Sequence, residues 1–204
     1  MNWQKLPESF YERTNVVRIA RELLGKSLYT CINGVVTGGT IIETEAYSWK
    51  ERGCHAYDNR KTQRNAIMFD AGGHAYVYLC YGIHHLFNVV TNSVGTADAV
   101  LVRALEPHTG LEVMVSRRGK LANRYHLTSG PGKLTRALGI DRNWNGRSLM
   151  DDDVWIADDD VRIPASKIVA SPRIGIDYAG EDASLPWRFH VKGSLWVSVK
   201  SPHI

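Results

Sequence analysis

Apolar side chains at Val16, Val17, Ala20, Leu23 and Leu24 recur at the three- and four-residue spacing of a helix face. Thr14 or Asn15 is placed to cap the start of that helix, and Gly25 to take the left-handed position after its last turn. The period then changes from helix to strand. Residues Ser27–Ile32 and Val35–Tyr47 are rich in β-branched and aromatic side chains, and Asn33-Gly34 between them tolerates the positive φ of a tight hairpin turn. Further strands are predicted over residues 75–81, 85–91, 99–105, 154–156, 167–176 and 188–199, the last with Gly193-Ser194 as a bulge or turn. Beyond the first helix, helical spacing is confined to 111–118 and 133–138, the latter closed by Gly139. Many adjacent strands and few helices predict an α+β fold: a curved, mainly antiparallel sheet, open-barrel-like at its core, with flanking helices. A length of 204 residues, 44% of them hydrophobic, suits a single domain over 1–204, and no internal repeat or low-complexity linker divides it.

Residues 48–73 interrupt the pattern. They are polar, rich in Arg, Lys, Asn and Gly, and lie between two predicted strands; loops of that length are usually functional or disordered. Lys and Arg number 25 against 21 Asp and Glu, a basic balance that suits a polyanionic partner without demanding one. No apolar run approaches the roughly 20 residues that span a bilayer, and Met1-Asn2-Trp3-Gln4-Lys5 has no signal-peptide core. A soluble intracellular protein is therefore expected, in the cytoplasm and nucleoid or in a nucleus, with no membrane partner.

Cys31, Cys54 and Cys80 are odd in number and widely spaced, which argues against a disulfide framework and a zinc knuckle. Asp151-Asp152-Asp153 and Asp158-Asp159-Asp160 flank a short strand and read as solvated turns, since no His or Glu completes a ligand set. His55, His74, His84 and His85 likewise lack metal-ligand spacing. No metal and no cofactor are expected.

Strand alternation places Glu43, Glu45 and Tyr47 on one face. Two carboxylates beside an aromatic ring are costly to bury, so they are either paired with arginines, exposed to solvent, or used. Glycosidase chemistry can use paired carboxylates, but acid and base must flank the scissile bond, whereas neighbours on one strand approach from one side. At most one of the two glutamates should do chemistry. The run from His74 to Gly82 carries Tyr76, Tyr78 and Tyr81, which suit either ordinary strand core or stacking on nucleic-acid bases. Gly130-Pro131-Gly132-Lys133 lacks the full phosphate-loop signature but could open a helix with Lys133 on a DNA phosphate.

Taken in order, Ala20-Arg21-Glu22-Leu23-Leu24-Gly25-Lys26, Glu43-Thr44-Glu45-Ala46-Tyr47, His55-Ala56-Tyr57, Thr62-Gln63-Arg64-Asn65, Met68-Phe69, Tyr76-Val77-Tyr78 and Tyr81-Gly82 resemble the alkyladenine (3-methyladenine) DNA glycosylase family. The resemblance continues through Asn88, Arg103-Ala104-Leu105-Glu106-Pro107, Ser129-Gly130-Pro131, Arg173-Ile174-Gly175 and Gly193-Ser194-Leu195-Trp196-Val197-Ser198, and so covers nearly the whole chain. Departures fall at Gln63, Ile83 and Leu195, where the family often has Pro, Met and Pro, and in the length between Tyr47 and His55. They bear on loop rigidity and DNA grip more than on chemistry.

The resemblance implies a base-excision repair enzyme acting as a monomer on double-stranded DNA that contains damaged purines. By that resemblance Glu45 is the general base and Arg103 helps it hold a water. Tyr47, His55 and Tyr78 line a flipped-base pocket, and Asn88 discriminates at the purine edge. Tyr81 fills the gap left in the duplex, with Ile83 beside it, while Arg64, Lys133 and Lys192 contact phosphates. Hydrolysis without lyase activity is expected, because no matching lysine and no N-terminal proline supplies an amine nucleophile. The alternative is a non-catalytic module that binds damaged DNA.

Overall fold

The protein is described by a computed structural model over residues 4–119 and 123–199. Two helices open it, α1 (Glu8–Tyr11) and α2 (Val16–Glu22). Asn15 caps α2, its side chain accepting from the Arg18 amide, and Gly25 takes φ +88° just beyond, as the sequence predicts. The hairpin of β1 (Ser27–Ile32) and β2 (Val35–Tyr47) follows, turned at Asn33 and Gly34 with positive φ at both. Then come β3 (Ala75–Cys80), β4 (His84–Thr91), β5 (Asp98–Thr109), α3 (Leu111–Arg118) and α4 (Pro131–Leu138). Three short strands complete the set: β6 (Val154–Ala157), β7 (Ile168–Ser171) and β8 (Arg188–Val191).

The eight strands among the described residues join one antiparallel sheet in the order β3-β4-β5-β2-β1-β6, with β8 pairing both β2 and β7. The fold is α+β, and the sheet stays open rather than closing into a barrel. Strand β2 is its axis. On one side it runs along β5; the other side is shared between β1, opposite Val35 to Thr40, and β8, opposite Glu43 to Glu45. Register shifts against β5 flank Glu43, so the ladder is irregular where the glutamates sit.

Helices α2 and α4 cover one face of the sheet. Ile19, Leu23, Leu28, Ile41, Leu105 and Leu134 are fully buried there, each worth about 1.5–3 kcal/mol of burial. Residues 48–73 are ordered by a second, smaller core in which Cys54, Ala56, Met68 and Phe69 pack against Tyr76, Val90, Ala97 and Ala99. Buried Asn65 ties the loop internally, donating to the His55 and Arg60 carbonyls and accepting from Thr62. Asp98 anchors its start by accepting from the Trp49 amide.

Four strand expectations need correction. The strand predicted over 99–105 runs from Asp98 to Thr109, because its pairing with β2 continues to Gly38. The strand predicted over 167–176 stops at Ser171, because Pro172 has no donor and the chain turns inward so that Arg173 is buried. The strand predicted over 188–199 stops at Val191, where Lys192 and Gly193 turn and pairing does not resume. The strand predicted over 75–81 ends one residue earlier, leaving Tyr81 in the turn. Helix α1, a single turn, was not predicted. The acidic segments are turns as expected, held by Lys5 to Asp152, Arg147 to Asp153, and Lys26 and Arg162 to Asp158.

Candidate active site and nucleic-acid interface

The alternation of β2 places Glu43, Glu45 and Tyr47 on one face, and Arg103 comes to them from β5. Arg103 donates from Nε to Glu43 Oε1 and from Nη1 to Glu45 Oε2, both at 3.1 Å. Both glutamates are fully buried. Glu43 is the more heavily engaged: among the described residues its Oε1 also accepts from Arg188 Nε at 2.7 Å and Ser198 Oγ at 2.7 Å, and its Oε2 from the Ser198 amide at 2.6 Å. Burial alone would raise its carboxyl, but Arg103, Arg188 and the Ser198 donors outweigh that and hold it below the usual carboxylate range.

Glu45 has fewer partners. Its Oε2 accepts from Arg103 and from the Tyr47 hydroxyl at 2.8 Å, and among the described residues its Oε1 accepts only from the Ile174 amide at 2.8 Å. A carboxylate oxygen accepts two hydrogen bonds, so Oε1 keeps one acceptor position open. Burial and then the Glu45 charge push the Tyr47 hydroxyl well above its ordinary pKa, so it remains a donor.

These residues lie beneath a cleft of about 850 Å³ whose walls include Tyr47, His55, Tyr76, Tyr78, Asn88 and Arg103. The His55 and Tyr78 rings meet edge to face with centroids 4.6 Å apart, and the Tyr76 hydroxyl lies 2.8 Å from His55 Nδ1. Although His55 faces the open cleft, desolvation by the walls, aided by the nearby Arg64 charge, lowers its pKa to about 4. Asn88 is buried and spends its NH₂ on the Tyr76 carbonyl at 3.0 Å.

At the mouth stands the β3–β4 turn. Ile83 N–H bonds the Cys80 carbonyl, and Tyr81 and Gly82 both have positive φ, +48° and +73°, the geometry of a type I′ hairpin turn. A bulky residue in that region is strained, and Tyr81 gains no packing in return: it is 86% exposed, with Ile83 beside it at 72%. The cleft edge is basic, with Arg64 and Lys133 among its walls. Lys133 sits in the first turn of α4, which starts at Pro131 after Gly130, and Arg64 lies over the Tyr78 ring at 5.3 Å.

A model of the family described as methylpurine-DNA glycosylase matches residues 9–195. The chain belongs to that family. Among relatives of this methylpurine-DNA glycosylase family member, a protein of Chlamydia felis is 48% identical over 186 residues, covering 90% of this chain and 94% of its own length. One of Bacillus cereus is 46% identical over 203 residues, 95% of this chain and 98% of the other. Both carry the provisional name 3-methyladenine DNA glycosylase.

Of the residues singled out in the sequence, the fold of this methylpurine-DNA glycosylase family member brings Arg103, Tyr47, His55, Tyr78 and Asn88 to the walls of one cleft, while Glu45 is fully buried behind the wall and bonded to Arg103 and Tyr47. The fold sets Tyr81 and Ile83 at the mouth and Arg64 and Lys133 on the rim. Lys192 stands apart, exposed in the turn after β8 and outside the cleft walls. Sequence reasoning missed Arg188, Glu51 and Tyr178; the last is 69% exposed at the cleft. Their only signal was a charge or ring inside a stretch that otherwise read as strand or polar loop. It also missed that a lysine, Lys133, faces the cleft. Among the described residues, no group of three or more His, Cys, Asp or Glu side chains is placed to hold a metal ion, and no helix is long and apolar enough to cross a membrane.

Proposed function

We propose that the chain is a single-domain, monofunctional base-excision repair glycosylase that acts as a monomer, extruding a damaged purine from duplex DNA and hydrolysing its N-glycosidic bond. The observation that carries this reading is Glu45, buried beneath an aromatic cleft with one carboxylate position unfilled, beneath a mouth marked by a strained, exposed tyrosine. The relatives' names support alkylated purines as the substrate class.

The anomeric carbon is unreachable inside a stacked duplex, so the nucleotide leaves the stack at a cost of a few kcal/mol. Tyr81 offsets part of that cost by filling the gap, with Ile83 against the neighbouring base. The base enters between Tyr47 on one side and His55 and Tyr78 on the other, its edge toward Asn88. A purine alkylated at ring N3 or N7 is cationic, so electron-rich ring faces favour it over normal bases. The C1′–N bond breaks with its electron pair moving to the base, which departs neutral. Water attacks C1′ from the opposite face, and Glu45 takes its proton while Arg103 holds the carboxylate in place. Arg64 and Lys133 contact phosphates, with Lys192 further along the backbone; Lys133 is thereby engaged as a cation and is not a nucleophile for lyase chemistry.

The full burial of Glu45 is the one observation that suits the alternative, a module that binds damaged DNA without cutting it. Glu45→Gln separates the two. The enzyme reading expects the single-turnover release of 3-methyladenine or hypoxanthine from duplex DNA, followed by alkaline cleavage at the abasic site, to slow at least about a hundredfold while damaged-DNA affinity persists. An unchanged rate removes Glu45 from the chemistry.

A further inference from the structure

Glu43, Glu45 and Glu51 are buried at and behind the cleft wall together with Arg103, Arg173 and Arg188, three carboxylates against three guanidiniums. Their formal charges cancel. The first two glutamates share Arg103, while Glu51 pairs with Arg173 in a two-pronged contact at 2.6 and 2.7 Å, their side chains 3% and 0% exposed, and also accepts from the Gly53 amide at 2.7 Å. Arg173 also donates to the Ala46 and Asp182 carbonyls. These bonds hold its guanidinium 4.8 Å from the centroid of the Tyr47 ring.

Tyr47 lines the cleft and Arg173 does not, so the cation lies against the rear of the ring. A base stacked on the front of Tyr47 would lie about 8 Å from it, the 4.8 Å plus one layer of van der Waals contact. At that range and an effective dielectric of about 20, an unneutralised guanidinium would disfavour a cationic base by roughly ten- to thirtyfold, and a neutral base hardly at all.

We propose that Glu51 is a specificity-determining residue: by neutralising Arg173 behind Tyr47, it lets the pocket take positively charged bases as well as neutral ones. The inference rests on the base-pocket reading above. Glu51 touches no substrate. It acts through the charge presented to the rear of a stacking ring, a role that local geometry alone would not produce.

The test compares single-turnover release of 7-methylguanine, which is cationic, with that of hypoxanthine, which is neutral, from otherwise identical duplexes. Glu51→Gln is expected to lower the 7-methylguanine rate relative to the hypoxanthine rate by about tenfold. Breaking a buried pair can unfold a protein, so the double variant Glu51→Met with Arg173→Met, which removes both charges at similar volume, is measured beside it. It is expected to keep the wild-type ratio of the two rates even if both fall. An equal loss on both bases in folded Glu51→Gln, or a ratio moved fivefold or more in the double variant, overturns the inference. A wild-type protein that releases neither base overturns the glycosylase reading and this inference together, an outcome distinct from a wild type that works and a variant whose ratio is unmoved.

Discussion

At the level of single residues, two side chains of similar sequence appearance have different surroundings. Glu43 and Glu45 are two positions apart on one strand face, yet among the described residues Glu43 accepts four hydrogen bonds, from Arg103, Arg188 and Ser198, while Glu45 accepts three. The alternation in the sequence placed both on one face, as the structure has them. It could not show which was the more heavily bonded, because Arg188 and Ser198 arrive from more than 140 residues away. His55 carries a consequence for pH. Its folded pKa of about 4 lies below the ordinary value near 6.5, so between those pH values the unfolded chain binds a proton that the folded protein does not. Stability contributed at this site is therefore undiminished above about pH 6.5 and falls as the pH drops toward 4, below which the penalty is constant. We expect His55→Gln to reduce the steepness of stability loss in that window, measured by urea unfolding at a series of pH values. A His55 ring that titrates near 6.5 by NMR would contradict this.

At the level of elements, the hairpin β1–β2 and helix α3 have the limits that hydrophobic period and turn residues indicated, since both are specified locally. Strands β7 and β8 are shorter than the sequence suggested. In each, β-type residues run on past the point where tertiary demands take over: Pro172 releases the chain so that Ile174 can reach Glu45, and Gly193 turns it so that Ser198 can reach Glu43. The β3–β4 hairpin is the most informative turn. Its first central position calls for Gly, Asn or Asp and holds Tyr81. Relief of left-handed strain in Tyr81→Gly is worth about 1–2 kcal/mol, against a glycine entropy cost of about 0.5–1 kcal/mol. Tyr81→Gly is therefore expected to leave thermal stability unchanged or slightly raised while lowering the extruded population of an ethenoadenine nucleotide by about 1–3 kcal/mol, the stacking value of one base. Stopped-flow fluorescence of that base reads the second quantity; complete extrusion by the variant would return Tyr81 to a structural role.

At the level of the whole molecule, the formal charge of +4 is modest, and its effect depends on where the cations stand. Arg64 and Lys133 rim the cleft, whereas Arg103, Arg173 and Arg188 are buried and paired, unable to release counterions from DNA. Lys133→Ala is thus expected to reduce the slope of log affinity against log salt by about one unit, and Arg64→Ala likewise. Titrations of a fluorescent duplex between low and physiological salt measure it, and a slope left intact by both would place the phosphate track elsewhere. The same division separates what is rigid from what can vary. Glu43, Glu45 and Tyr47 come from one strand held along both sides, so they can shift only if the sheet shifts. The loop carrying His55 and the turn carrying Tyr81 rest on smaller attachments. On the reading proposed above, this means that the groups assigned to bond cleavage move only with the sheet, while the wall at His55 and the plug at Tyr81 can be rebuilt without it.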